Sequence, residues 1–209
     1  MEEELPNPLW TPIRIIIAVI LLVLIIATVI PYYSVRLDPE PRNIPVLTAL
    51  AFNISLEGNH SQDITHISQF VMPSDPQIKF AANKIVTLSC SPNPLCYAKA
   101  LYYFVRDNIQ YVADPLEQEY IEPPAEVLAS GAADCESGSI LLASLEEAIG
   151  IDAQLVLIQN HAYIRIKLDA PKKYQNNNYI YLDWTCKDCA FGEIPWKSWL
   201  ARATIVEVP

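Results

Sequence analysis

Cys135, His161 and Asp183 are the residues whose types and order could do covalent chemistry. Cys135 lies in Gly131-Ala-Ala-Asp-Cys-Glu-Ser137. An apolar segment follows, Ile140-Leu-Leu-Ala-Ser-Leu-Glu-Glu-Ala-Ile149, closed by Gly150. Asp134 reads as an N-cap and Gly150 as a C′ glycine, which predicts Cys135 in the first turn of a helix. The partial positive charge of a helix N-terminus favours the thiolate, the nucleophilic form of cysteine. A lone cysteine is more often a small buried hydrophobe, so the residues downstream decide the reading. A thiol nucleophile needs a base, and the base needs an acceptor that fixes its tautomer. The chain has only three histidines, His60, His66 and His161. His161 opens an alternating run to Leu168, and Asp183 closes a second one, Tyr179-Ile-Tyr-Leu-Asp-Trp184. Helix-start Cys, strand-start His and strand-end Asp fit the roles of nucleophile, base and orienting carboxylate.

The elements that must position them read as helices followed by a sheet. Helices are predicted over 76–88, with Ile78, Ala81, Ala82, Ile85 and Leu88 as its apolar stripe, and over 94–109, with Pro94 in the first turn. Tyr102, Tyr103, Phe104, Val105 and Ile109 of the second are expected in the core. Tyr111-Val-Ala-Asp-Pro115 reads as an extended exit, followed by a Pro/Glu-rich loop to Glu126. Strands are predicted over 152–159, 161–168 and 179–184, with Asn176-Asn-Asn178 as a polar hairpin tip. Residues 46–56 also read as a strand and 57–75 as a polar loop. His60 and His66 lack carboxylates at ligand spacing, so no metal ion is assigned to them and no cofactor is expected.

The chain resembles the transglutaminase-like cysteine-enzyme superfamily, in particular its membrane-anchored archaeal members. The resemblance is carried by Ala98–Val112, Pro123-Pro-Ala-Glu-Val-Leu128, the Cys135 segment, Gly150–Val156, His161-Ala-Tyr163 and Tyr181-Leu-Asp-Trp-Thr185, within about residues 76 to 195. Ala133 stands where that family usually has glycine. The resemblance implies an α+β fold with a papain/transglutaminase-like core, in which the nucleophile helix packs on an antiparallel sheet. It implies a Cys135–His161–Asp183 triad acting on amide bonds through a thioacyl intermediate. It also implies an oxyanion donor upstream of the nucleophile, for which Tyr111 is the nearest match. Three readings follow: a peptidase or amidase with a peptide or protein substrate, a transglutaminase-type acyl transferase, or a non-catalytic surface binding module. Hydrolysis comes first, because water needs no dedicated second site.

The net charge is −10, and no basic stripe exists to neutralise phosphates, so nucleic acid is not expected as a partner. Ile15 to Ile30 is uncharged and broken only by Thr28, with Trp10 and Tyr32-Tyr33 as flanking aromatics. As a helix, Trp10 to Tyr33 would span roughly 36 Å, enough for a bilayer. The expected organisation is a short cytoplasmic N-terminus (1–12), a transmembrane signal anchor (13–33), a Pro-rich spacer (34–45) and one domain (46–209). Flanking Lys and Arg are too few to fix the orientation. The sequons Asn53-Ile-Ser55 and Asn59-His-Ser61 point outward. So do Cys90, Cys96, Cys186 and Cys189, an even set once Cys135 is removed. The expectation is a single-pass cell-membrane protein with its domain outside the cytoplasm. The four cysteines read as two local disulfides, Cys90–Cys96 and Cys186–Cys189, or as one zinc site.

Overall fold

The computed structural model describes residues 10–50, 64–115 and 120–208. It divides into two compact units, residues 1–39 and 40–209. The first contains one helix, α1 (Trp10–Leu37). Its segment Pro12–Ile30 is long and apolar enough to cross a membrane, a test that a signal sequence also passes. The hydroxyl of Thr28 donates to the carbonyl of Leu24 at 2.8 Å, so this polar group is satisfied within the helix. The helix continues beyond the expected boundary at 33 and takes the first residues assigned to the spacer.

The second unit begins with two further departures from expectation. Leu47–Leu50 is a short 3-10 helix, not the start of a strand, and 51–56 lie outside the described residues. The backbone groups that a ladder would have taken are held by side chains. Asn108 Oδ1 accepts from the N–H of Leu47 at 2.8 Å, and Lys84 donates to the carbonyls of Ala49 and Leu50. Ile64–Phe70 forms a kinked 3-10 helix where a loop was expected. His66 is exposed there; His60 and both sequons lie outside the described residues.

Two helices follow close to their predicted limits, α2 (Pro76–Ser89) and α3 (Pro94–Asn108). Each starts with a proline and a capping side chain. Asp75 accepts from the N–H groups of Gln77 and Ile78, and Asn93 from those of Leu95 and Cys96. Ile78, Ala81, Ala82 and Ile85 are buried as expected, but Leu88 is exposed; Val86 and Ser89 take the buried positions at that end. In α3, Tyr102, Phe104 and Val105 are buried, as is Ile109 at its C-cap, whereas Tyr103 is half-buried. Cys90 and Cys96 form a disulfide across the α2–α3 connection.

Three small elements between α3 and Cys135, a stretch where an extended exit and a loop were expected, build the approach to that residue. They are β1 (Gln110–Tyr111), α4 (Pro124–Ser130) and β2 (Ala132–Ala133). Gly131 ends α4 at φ +69°, a left-handed conformation that glycine adopts freely. β1 pairs parallel with β2, setting Tyr111 opposite Ala133. Ala133 lies in this strand and not at a positive φ, so its backbone does not require glycine.

The central element is α5 (Cys135–Ala148). Asp134 caps it by accepting from the N–H of Ser137 at 2.8 Å, and Gly150 follows at φ +81°. Ile140, Leu141, Leu142, Ala143 and Leu145 are buried all round the helix, as expected of a helix enclosed by other elements. It packs against α2, α3 and α4, and against an antiparallel sheet. The sheet contains β3 (Asp152–Ile158), β4 (His161–Lys167), β5 (Ile180–Leu182) and β6 (Thr204–Glu207), in the order β5-β4-β3-β6. The fold is therefore α+β, with the Cys135 helix packed on an antiparallel sheet. Asn177 and Asn178, both at positive φ, form the tight turn at the predicted hairpin tip. The edge strand β6 was not anticipated. A polar row joins it to the sheet, in which Arg165 donates to Gln154 and Gln154 donates to both oxygens of Glu207. A short helix, α6 (Trp196–Leu200), precedes it.

Glu146 of α5 is fully buried, and neither carboxylate oxygen has a hydrogen-bond partner. Burial, then the neighbouring charge of Glu147, raises its pKa well above the usual carboxylate range. The unfolded chain releases this proton near pH 4 to 5 while the folded chain keeps it. Stability is therefore lost as pH rises above the unfolded value. Glu146→Met is expected to stabilise the domain by about 1–3 kcal/mol at pH 8. The gain in melting temperature should shrink toward pH 4; an equal gain at both pH values would refute the assignment.

Candidate active site

Three elements converge on Cys135, the free cysteine among the described residues. The first is α5, which starts at the cysteine itself. The second is the start of β4, where the backbone of Ala162, one residue beyond His161, borders the sulfur. Ser139 Oγ donates to the carbonyl of the same Ala162 at 3.1 Å, so the first turns of α5 are tied to this end of the strand. The third is the segment leaving β5. There His161 Nε2 meets Asp183 Oδ2 at 2.8 Å, with the aspartate completely buried and the histidine partly exposed. The other oxygen of Asp183, Oδ1, accepts from the hydroxyl of Thr185 at 2.7 Å and from its N–H at 3.1 Å.

Trp184 locks the β5 exit to the helix start. Its ring is fully buried, and its Nε1 donates to the carbonyl of Cys135 at 3.4 Å. The ring lies against Gly138, where a Cβ would come within 2.2 Å of it. Gly138 went unremarked in the sequence, because a lone glycine inside an apolar helix carries no sign of the close approach it permits. Beyond Trp184 the chain is clamped on α3. Cys186 and Cys189 form the second disulfide, which excludes a four-cysteine zinc site. Tyr102 and Arg106 donate to the carbonyl of Cys189, and Lys187 donates to the carbonyls of Arg106 and Ile109 at the C-terminal end of α3.

The electrostatics of the thiol differ from the expectation of a helix-start thiolate. Cys135 Sγ donates to Glu136 Oε2 at 2.8 Å. Burial first, and then this bond and the charge of Glu136, push the thiol far up from its ordinary value. The sulfur thus holds its proton at neutral pH. The helix terminus is outweighed because Asp134 and Glu136 flank the thiol and water is excluded. Glu136→Gln is expected to speed iodoacetamide alkylation of Cys135 at pH 8 by about tenfold or more, since it removes the negative charge beside the sulfur. An unchanged rate would show that burial alone holds the proton.

Tyr111 is half-exposed, with its ring 6.3 Å from that of Trp184. Burial, and then the proximity of Cys135, Asp134 and Glu136, raise its phenol above the ordinary range. A cavity of about 400 Å³ adjoins the residues preceding Cys135, with Asp114, Glu122 and Asp134 in its lining. Burial, then the charges of Glu126, Asp134 and Asp114, raise Glu122 to about 7, and burial with a hydrogen bond to Glu136 raises Asp134 to about 6. The ligand atoms of Asp134, Cys135 and Glu136 lie within 4.8 Å of one another, a donor set that could hold a cation.

Residues 82–185 match the family model of the transglutaminase-like superfamily. Two solved structures of LapG from Legionella pneumophila are similar to the chain. The EGTA-treated form shares 18% identity over 60% of this chain and 72% of that one, with a TM-score of 0.41. The other shares 18% over 60% and 74%, with a TM-score of 0.40. Comparison with curated proteins gives no match.

Proposed function

Starting from a chain that carries a transglutaminase-like superfamily domain, we propose that it is a cysteine hydrolase of amide bonds, a peptidase or amidase, working through Cys135, His161 and Asp183. The observation that carries the reading is the His161–Asp183 bond at 2.8 Å, set at the start of β4, where the backbone of the next residue, Ala162, borders the Cys135 sulfur. Nε2 is engaged by the aspartate, which leaves Nδ1 as the base. His161 Nδ1 takes the proton from Cys135 as the sulfur attacks the substrate carbonyl. The backbone N–H of Cys135 and the hydroxyl of Tyr111 stabilise the oxyanion. The imidazolium returns its proton to the leaving amine, giving a thioacyl-enzyme. Water, deprotonated by His161, then attacks the thioester and releases the acid and the free thiol.

A second reading, acyl transfer to an amine, draws on the acidic lining of the adjoining cavity, which suits a cationic acceptor. A fluorogenic peptide library with intact-mass analysis tests both. An adduct on Cys135 that hydroxylamine removes supports the thioester. Preferential product formation with added amine selects transfer, and an absence of both turnover and adduct leaves a binding module.

The same reading places the protein in a membrane through α1, with its domain outside the cytoplasm. The two disulfides support an oxidising compartment. Protease treatment of intact against lysed cells is the test: a domain protected until lysis would put it in the cytoplasm.

A further inference from the structure

We propose that Thr185 is a positioning residue for the histidine: it fixes the rotation of the Asp183 carboxylate and thereby the tautomer of His161. The inference rests on the catalytic reading above and adds a residue to it. A carboxylate turns readily about its terminal torsion, which is soft and roughly two-fold. In this protein that torsion is held from one side. The hydroxyl and the N–H of Thr185 both donate to Oδ1, at 2.7 Å and 3.1 Å, so Oδ2 is the oxygen presented to His161 at 2.8 Å. Asp183 is fully buried, so bulk water is not at hand to replace a lost donor. Its backbone is held independently, because its carbonyl accepts from Tyr102 and from the N–H of Cys186. Loss of the Thr185 hydroxyl therefore loosens the carboxylate without releasing the loop. With only the Thr185 N–H left on Oδ1, the loosened carboxylate selects the Nε2–H tautomer less strongly. The fraction of His161 with a free lone pair on Nδ1, the form able to accept the thiol proton, falls accordingly.

The test is ring-¹⁵N NMR of the full chain in detergent micelles at a pH where His161 is neutral, together with turnover. With three histidines in the sequence, His161 is assigned by comparison with His161→Gln. Wild type and Thr185→Ser are expected to show the Nε2–H tautomer. Thr185→Val and Thr185→Ala should show a mixture, with kcat lowered in step with the lost Nε2–H fraction, about two- to fivefold, and KM unchanged. Two valine and alanine variants guard against one failing to fold. The proposal is overturned if either folded variant keeps the wild-type tautomer, or if Thr185→Ser behaves like them. The tautomer needs no substrate, so the two readings fail separately. An Nε2–H tautomer that responds to Thr185 without any turnover supports the positioning role and counts against hydrolysis. A mixed tautomer in the wild type overturns the positioning role alone, and turnover that depends on Cys135 and His161 would still support the hydrolase.

Discussion

Cys135→Ala is expected to abolish turnover, and His161→Ala to lower kcat by about a thousandfold or more, because in the proposed mechanism each removes a group that forms or breaks a bond. Asp183→Asn should cost less, on the order of ten- to a thousandfold. It keeps the size of the side chain and can favour the wrong tautomer, yet a thiol attack depends less on the third member than a hydroxyl attack does. Steady-state kinetics on the best library peptide measure all three. Melting temperatures should separate chemistry from folding. Cys135→Ala removes one sulfur beside a strand end, whereas Asp183→Asn alters a fully buried carboxylate with three hydrogen bonds. Full activity in Asp183→Asn, beside two inactive partners, would reduce the triad to a dyad. Any residual turnover in Cys135→Ala above the uncatalysed rate would remove the cysteine from the mechanism.

Gly138→Ala is expected to lower stability by about 3 kcal/mol, near the upper end of what overpacking costs. The added methyl would sit 2.2 Å from two atoms of the Trp184 ring and 2.6 Å from its Nε1. Neither side can yield cheaply. The glycine is in the central helix, and the indole is fully buried and hydrogen-bonded to the carbonyl of Cys135. Displacing the ring moves the residue directly after Asp183, so the His161–Asp183 bond should loosen as well. Denaturant titration would show a lower midpoint at an unchanged slope. Alkylation of Cys135 would quicken as its cover opens. A midpoint equal to that of the wild type would mean that the indole has room to move, and that it does not hold the site together.

Much of the fold could be read from the chain because local chemistry determines it. Pro76 with Asp75, Pro94 with Asn93, and Asp134 with Gly150 mark helix ends through hydrogen bonds made within a few residues, and those helices lie close to their predicted limits. The alternation at 161–168 placed β4 because one face of that strand is buried against α5. The two local disulfides were legible from short separations, though the zinc alternative fell only when the sulfurs were seen paired. Elements that rely on distant partners were missed. The two-residue ladder β1–β2 is too short to carry a periodicity, and β6 depends on Gln154 and Arg165, far away in sequence.

The same division applies to the site. By itself the sequence determined which residue types were available, in what order, and that Cys135 would open a helix, because capping and amphipathic patterning act locally. Tertiary structure alone decided that Asp183 meets His161 through Nε2, that Thr185 holds the opposite carboxylate oxygen, and that Gly138 makes room for Trp184. It also reversed the state of the thiol. A helix start read in isolation predicts a thiolate, but burial and the carboxylate of Glu136 are properties of the packed site, and in a water-poor setting they outweigh the helix terminus.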